Sequence, residues 1–298
     1  MTSRHLGELL SAVAPMAWAV AVVLFRAGGD RVGPVAMNLF KNMVALPLFA
    51  VTLLVMGQVT WADAQPGDAT ILLASGVIGI ALADTLFFVA LNALGASRLA
   101  VVGASYPVWV ILLSVTFLGE TFTLWQWVGC VLMVAAVVLA TLPEGGVSRA
   151  AAGRGLAIGV VAGLASVLLM AGSIVMAKPV LDRAPVVWSS SVRLAGGTAV
   201  LLVYGLLSPA RRTLFRPWIP GAQWRTILPA SLVGTYLAYM LWLGGAKFAP
   251  VSIASVLNQL HVIYTAILAA LFLSEKMTPR KGIAVALSIG GSALVVLN

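Results

Sequence analysis

Asp84 is the one acidic side chain placed well inside a long apolar segment of this sequence. An ionised carboxylate near the centre of a bilayer costs about 2.5–3.5 kcal/mol on insertion scales, so it must face protein or water. Helical spacing puts Phe88 and Asn92 on the same stripe as Asp84. The pattern predicts a polar face with an aromatic wall. On such a face the Asp84 carboxylate would have one of three roles. It would take up and release a proton, bind an amine, or form a hydrogen bond to a Thr, Asn or backbone group of a neighbouring helix.

A second polar stripe lies near the end of the chain. Asn258, His261 and Thr265 fall within about 60° of one another on a helical wheel. An imidazole can change its charge between about pH 5 and 8, and a neutral histidine can instead hydrogen-bond across helices. The stripe therefore predicts either a substrate-contacting face that senses protonation or a polar packing contact.

Aromatic and basic side chains add further candidates. Tyr239 is one of several aromatic residues that recur at three-residue steps. Such a row predicts either contact with an organic substrate or packing against lipid and neighbouring helices. Trp18, in the first apolar segment, is a candidate for the wall of a cavity. Lys41 and Arg193 occur about two turns into their segments. A long basic side chain there either snorkels to the membrane interface or turns inward as a hook for a carboxylate or phosphate.

The segments that carry these residues are long and apolar. Hydrophobic residues make up 61% of the chain and charged residues 9%, with a mean hydropathy of +1.05, whereas soluble domains carry about 25% charged residues. The fold is therefore predicted to be an all-α membrane protein. Segments of about 20 residues can cross a hydrocarbon core of ~30 Å, and ten are predicted to do so: 6–25, 34–56, 69–92, 97–118, 123–142, 155–177, 185–207, 224–246, 250–273 and 281–297.

The ten segments read as two copies of one five-segment unit. A unit with an odd number of spans ends on the far side of the membrane, so the second copy must insert upside down. The prediction is two inverted five-helix repeats, residues 1–142 and 143–298, an arrangement that builds an alternating-access site near the midplane. Aligning the copies pairs several of the candidates: Lys41 with Arg193, Asp84 with Tyr239, and Tyr106 with His261.

Tyr106 thereby joins the candidate substrate-binding residues, as a side chain predicted to face His261. Pro107 follows it and lacks a backbone donor, which predicts a kink of the fourth span around a cavity.

The basic residues indicate membrane orientation. The formal charge is +9, which would suggest nucleic acid for a soluble protein, but here the charges lie in short loops and no nucleic-acid partner is predicted. Twelve basic loop residues lie on one side and four on the other, which favours the first side as cytoplasmic and both termini as external. Cys130 is the only cysteine, so no disulfide is possible.

The stretch "ALADTLFFVALNALGASRLAVVGASYPVWVILLSVTFLGETFTLWQWVG" and its later counterpart through "LSEKMTPRKGIAVALSIGG" resemble the EamA-type repeat of the drug/metabolite transporter superfamily. The acidic ends "LGE" and "LSE", which carry Glu120 and Glu275, are the most specific marks. The resemblance implies a ten-helix exporter of small metabolites that works without ATP, with a cavity lined mostly by helices one, three, four, six, eight and nine. Thr121 replaces the usual basic residue, and family members are drawn with cytoplasmic termini, contrary to the charge count.

Three classes of function follow. The first is a secondary transporter that exports a small metabolite such as an amino acid by alternating access, with proton coupling left open. The second is a multidrug exporter of lipophilic cations, with Asp84 as the exchanged charge. The third is a membrane-embedded protein without transport activity. No nucleotide loop, HExxH motif or metal-spaced Cys/His cluster is visible, so neither enzymatic activity nor a cofactor is predicted.

The predicted partners are the lipid bilayer and a small-molecule substrate, with a monomer or homodimer equally open. The predicted location is the bacterial inner membrane, crossed many times.

Overall fold

The computed structural model of the chain describes residues 3–118, 123–141, 149–248, 257–258 and 260–297. Throughout these ranges the regular structure is helical, with no β-strand. The all-α prediction is therefore confirmed. The predicted boundary between the halves falls partly outside the described residues, and α6, the first helix of the second half, begins at Arg149.

We number the longer helical segments of the described residues in chain order. The first half contributes α1 (Ser3–Gly29), α2 (Pro34–Val55), α3 (Asp68–Leu94), α4 (Ala96–Phe117) and α5 (Leu124–Thr141). The second half contributes α6 (Arg149–Leu181), α7 (Val186–Leu207), α8 (residues 224–248), α9 (Leu260–Phe272) and α10 (Pro279–Leu297). The loop between α7 and α8 holds a short helix, Arg211–Phe215, and a 3₁₀ turn, Arg216–Trp218.

Six of the described helices are long and apolar enough to cross a membrane, which agrees with six of the ten predicted spans. They are α1, α2, α3, α4, α6 and α7. Shorter apolar helices occupy α5, over Leu124–Ala140, and α9, over Leu260–Phe272. The full count of ten spans stays a prediction.

Two π-helical segments interrupt the α-helical pattern at equivalent places in the two halves. Val77–Ala83 forms one in the middle of α3, and Ser231–Leu237 forms the other in α8. A second matched feature is an i,i+4 ion pair at the ends of α1 and α6: Arg26 with Asp30 at 3.0 Å, and Lys178 with Asp182. The repeats thus share local structure as well as sequence. π-Helical turns are rare and occur often at functional sites. Their matched positions therefore make α3 and α8 candidates for the walls of a functional site.

One end of the helix bundle is closed by apolar packing. The largest buried cluster collects side chains from the end of α1, the start of α2 and the end of α3, among them Phe25, Phe40 and Phe88. Burying large aromatic side chains contributes about 1.5–3 kcal/mol each. This cluster therefore holds α1, α2 and α3 together at this end of the bundle.

At the same end, the Glu275 carboxylate joins the two halves. Its oxygens accept hydrogen bonds from the backbone N–H groups of Ala96 at 2.7 Å and Ser97 at 3.1 Å. These are free donors in the first turn of α4, where a negative charge is also favoured by the helix dipole. Glu275 is thus a helix cap supplied by the other repeat. Glu120, its counterpart in the sequence, lies outside the described residues.

Candidate functional site

Three neighbouring cavities converge on the indole of Trp18 in α1, which lines all of them. We name the first, of ≈250 Å³, the charged cavity, because Lys41, Asp84 and Arg193 line it. The second, of ≈330 Å³, is the imidazole cavity, lined by Tyr106, His261 and Thr265. The third, of ≈320 Å³, is the aromatic cavity, lined by Tyr239, Trp242 and Asn258.

The cavities bring together nine of the eleven candidates, from both repeats. Tyr239 lines the charged and aromatic cavities, while Asn258 and His261 line the imidazole and aromatic cavities. The two that lie elsewhere are Phe88 and Asn92.

The structure corrects the stripe predicted along α3. Phe88 is 3% exposed and packs edge-on against Phe25, with 5.1 Å between ring centroids. The Asn92 amide donates to the Gly29 carbonyl at 3.5 Å. On a helical wheel Phe88 lies about 40° to one side of Asp84 and Phe87 about 60° to the other, and the cavity wall is on the Phe87 side. Phe87 faces the imidazole cavity instead and lies 5.9 Å from the Trp18 ring.

Asp84 forms an ion pair with a basic residue of the neighbouring helix. Lys41 Nζ in α2 lies 2.7 Å from Asp84 Oδ2, and Lys41 is 6% exposed. The partner of Asp84 is therefore the cation Lys41, whereas the packing alternative considered from the sequence named Thr, Asn or backbone groups. The alternative in which Lys41 snorkels to the membrane interface is also wrong, because its ammonium group is buried between α2 and α3. Separating such a pair leaves a buried charge without compensation.

Two buried amides hold this ion pair against the π-helical segment of α3. Lys41 Nζ donates to Asn42 Oδ1 at 2.7 Å, and Asn42 Nδ2 donates to Asn38 Oδ1 at 3.0 Å. Asn38 Nδ2 in turn contacts the Ile80 carbonyl at 2.7 Å and Thr85 Oγ1 at 2.9 Å. The wider π turn changes the usual α-helical pairing of backbone groups, and Asn38 supplies a donor to one of its carbonyls. The network fixes where Asp84 stands.

The equivalent place in the second repeat is built differently. Arg193 in α7 is 9% exposed, and its Nη2 donates to Ser173 Oγ at 3.2 Å. Its Nε is buried without a hydrogen-bond partner, and none of the ion pairs among the described residues includes it. Tyr239, which stands where the first repeat has Asp84, hydrogen-bonds Ser190. Arg193 thus turns inward, as the anion-hook hypothesis requires, and no described carboxylate lies within ion-pair distance of it.

Arg193 also lies against the backbone of α3. A Cβ atom added to Gly79 would stand 3.3 Å from Arg193 Nη2 and 2.4 Å from Ser173 Oγ. Glycine at this position of the π-helical segment therefore makes room chiefly for Ser173, the hydrogen-bond partner of the guanidinium group. Both π-helical segments contribute to the charged cavity, since Ile80 comes from one and Gly234 from the other.

Tyr106 and His261 line the same cavity, in agreement with the predicted facing pair. His261 Nδ1 lies 2.9 Å from the backbone oxygen of Asn258, and Thr265 Oγ1 is buried without a hydrogen-bond partner. The α-helical pattern of α4 breaks at residues 104–105, just before Tyr106 and Pro107. The break agrees with the expected kink and turns Tyr106 to the cavity.

Several wall residues were not singled out from the sequence. They are Asn42, Phe49, Phe87, Met170 and Ser190, drawn from α2, α3, α6 and α7. Two carried a usable signal: Asn42 is adjacent to Lys41, and Ser190 aligns with Asn38. The apolar ones carried none, because they lie in segments that are apolar throughout.

The six long apolar helices among the described residues are those of a multi-pass membrane protein. The family model described as the EamA-like transporter family matches residues 5–142 and 157–297. The chain belongs to this family and is a membrane transporter of the drug/metabolite transporter superfamily.

One solved structure, described only as "Crystal structure of protein", superposes with a TM-score of 0.66 and 19% identity, over 99% of this chain and 97% of that chain. At this identity the likeness shows the fold alone. No curated protein sequence matches the chain.

Proposed function

We propose that the protein is a secondary transporter that exports small polar or amphipathic metabolites, a group that includes amino acids, by alternating access. The observation that carries this proposal is the convergence of three cavities on Trp18, with walls supplied by helices of both repeats. Repeats 1–142 and 143–298, related by inversion, would open such a site to one face and then to the other.

The Lys41–Asp84 ion pair supports proton coupling. Protonation of Asp84 would remove the negative charge that holds Lys41, and a pair that forms and breaks at a cavity wall is a two-state element of the kind that coupling requires. His261 lines the adjoining cavity and is a second candidate for a group that exchanges a proton during transport.

The charges at the site favour metabolites over lipophilic cations. A cation exporter would use Asp84 as a free carboxylate, but Lys41 already occupies it at 2.7 Å. Arg193 adds a further positive charge to the same cavity. Repulsion between like charges in a low-dielectric site disfavours a cationic cargo.

We further propose a bacterial inner-membrane location, with the loop that carries Arg211 and Arg212 in the cytoplasm and both termini outside. The charge bias between the loops supports this orientation. Reporter fusions at Asn298 that are active only in the cytoplasm would contradict it. Whether the transporter works as a monomer or a homodimer can be measured by crosslinking in membranes.

A substrate panel in proteoliposomes tests the function. Purified protein would be reconstituted and uptake of metabolites of different charge measured with and without an imposed proton gradient. We expect gradient-stimulated transport of a small metabolite, and its loss in Trp18→Ala. Trp125→Ala is the matched control, since Trp125 is 56% exposed on α5. Transport of lipophilic cations alone would favour the multidrug alternative, and equal transport by Trp18→Ala would show that the substrate passes elsewhere.

A further inference from the structure

The cavities around Trp18 carry an unbalanced set of charges. Among the described side chains that line them, the carboxylate, ammonium and guanidinium groups are those of Asp84, Lys41 and Arg193. Lys41 and Asp84 form a pair at 2.7 Å and neutralise each other. The site is therefore left with one uncompensated positive charge, on Arg193, and with no free carboxylate.

The guanidinium group of Arg193 is prepared for a ligand. It is buried, its Nη2 has one neutral hydrogen-bond partner in Ser173, and its Nε has none. A buried charge and an unmatched donor both destabilise a protein until an anion is bound. Arginine presents its N–H groups as a rigid planar fork that matches the two oxygens of a carboxylate.

The surroundings of Arg193 limit the total charge and shape of that ligand. The carboxylate that could neutralise a ligand ammonium group in this cavity is Asp84, which is already paired with Lys41. A second negative charge would lack a second free cation. The remaining wall of the charged cavity is largely apolar or aromatic, with Phe49, Leu194 and Tyr239 in it. The complement is a small molecule with one carboxylate and an apolar body.

We propose that Arg193 is the specificity-determining residue of this site and that it selects small organic monoanions, held by their carboxylate, over zwitterions and cations of the same shape. The inference rests on the proposed transport function and names its substrate class.

Four phenyl compounds of matched size test this order. Phenylpropionate is a monoanion, phenylalanine a zwitterion, phenethylamine a cation and phenylsuccinate a dianion. Their binding to the full-length protein in lipid nanodiscs would be measured by titration calorimetry at neutral pH. We expect phenylpropionate to bind most tightly, and phenylalanine and phenethylamine to bind about tenfold or more weakly because their ammonium group lacks a partner.

Two variants locate the selectivity. Arg193→Gln should raise the Kd of phenylpropionate by roughly 10- to 100-fold, since it removes a charge-assisted bidentate contact. Arg211→Gln, an exposed residue of the α7–α8 loop, is the control and should leave Kd unchanged. Asp84→Asn frees Lys41, so the site then offers two cations and should gain affinity for phenylsuccinate over phenylpropionate. This gain of binding shows that the variant is folded.

The outcomes separate this inference from the proposed function. Equal affinity for phenylpropionate and phenylalanine, no binding of phenylpropionate, or an unchanged Kd in Arg193→Gln would overturn the monoanion site while leaving export of other metabolites intact. If the affinities follow the expected order but no compound of the panel crosses a proteoliposome membrane, the transport function fails and the binding site stands.

Discussion

The two repeats place different chemistry at equivalent positions. In the first, a lysine of α2 meets an acid of α3, and Lys41 and Asp84 neutralise each other. In the second, Arg193 of α7 stands beside Tyr239 of α8, whose hydroxyl group bonds Ser190. The helices and their π-helical segments have been kept while the charge balance has diverged. Two repeats of similar fold thus form one site with two different charge arrangements. The first repeat contributes the Lys41–Asp84 ion pair, and the second contributes the guanidinium group of Arg193.

The largest expected effect of this difference is on stability. Lys41→Met leaves Asp84 uncompensated and should lower the free energy of unfolding by about 3–5 kcal/mol, the usual result of removing one partner of a buried pair. Arg193→Met removes a charge that has no acid beside it, so it should be neutral or stabilising. Thermal unfolding in detergent measures both. Equal destabilisation by the two substitutions would mean that the repeats are electrostatically alike.

The next effect is on transport. Asp84→Asn keeps the shape and most hydrogen-bonding capacity of the side chain but removes the charge. We expect it to lose stability, because Lys41 is left without its counter-charge, but still to reach the membrane. Gradient-driven transport per folded protein should fall by roughly 100-fold, equivalent to about 2.7 kcal/mol. Asp182→Asn, on an exposed loop, is the control and should transport normally. Normal transport by Asp84→Asn across pH would make the carboxylate structural and the protein a facilitator.

A smaller effect should separate Asn38 from its counterpart Ser190. Asn38→Ala leaves the Ile80 carbonyl and the Asn42 amide without their partner, which should cost about 1–3 kcal/mol for buried groups. Ser190→Ala removes one hydroxyl contact to Tyr239 and should cost about 1 kcal/mol. Chemical denaturation would compare them. A larger loss at Ser190 would place the rigid half of the site in the second repeat.

The smallest expected effect belongs to the Tyr239 hydroxyl group. Tyr239→Phe retains the ring that lines two cavities and loses the hydrogen bond to Ser190, so stability should fall by about 0.5–1.5 kcal/mol with transport preserved. The measurement is a melting temperature alongside an uptake rate. Loss of transport in Tyr239→Phe would give this phenol the coupling role that we assign to Asp84.

Most of the candidate site could be predicted from the sequence because its polar, basic and aromatic residues stand out in segments that are otherwise largely aliphatic. Polar and charged side chains within apolar spans are costly, and the internal repeat pairs several of the candidates with one another. Phe88 could not be placed from its spacing alone. It lies four residues after Asp84, as one helical stripe requires, but its side chain is buried in the core. Phe87, one residue earlier, reaches the cavity and differs from Phe88 in no property that the sequence records.

The sequence by itself determined the apolar helices, the duplicated unit, the family and the residue types of the site, since all of these are properties of local composition and periodicity. Only the tertiary structure decided that Lys41 and Asp84, 43 residues apart, are partners and that Arg193 is left without one. It also located the π-helical segments. The reason is physical: which charges meet depends on the packing of separate helices, and no local pattern encodes that distance.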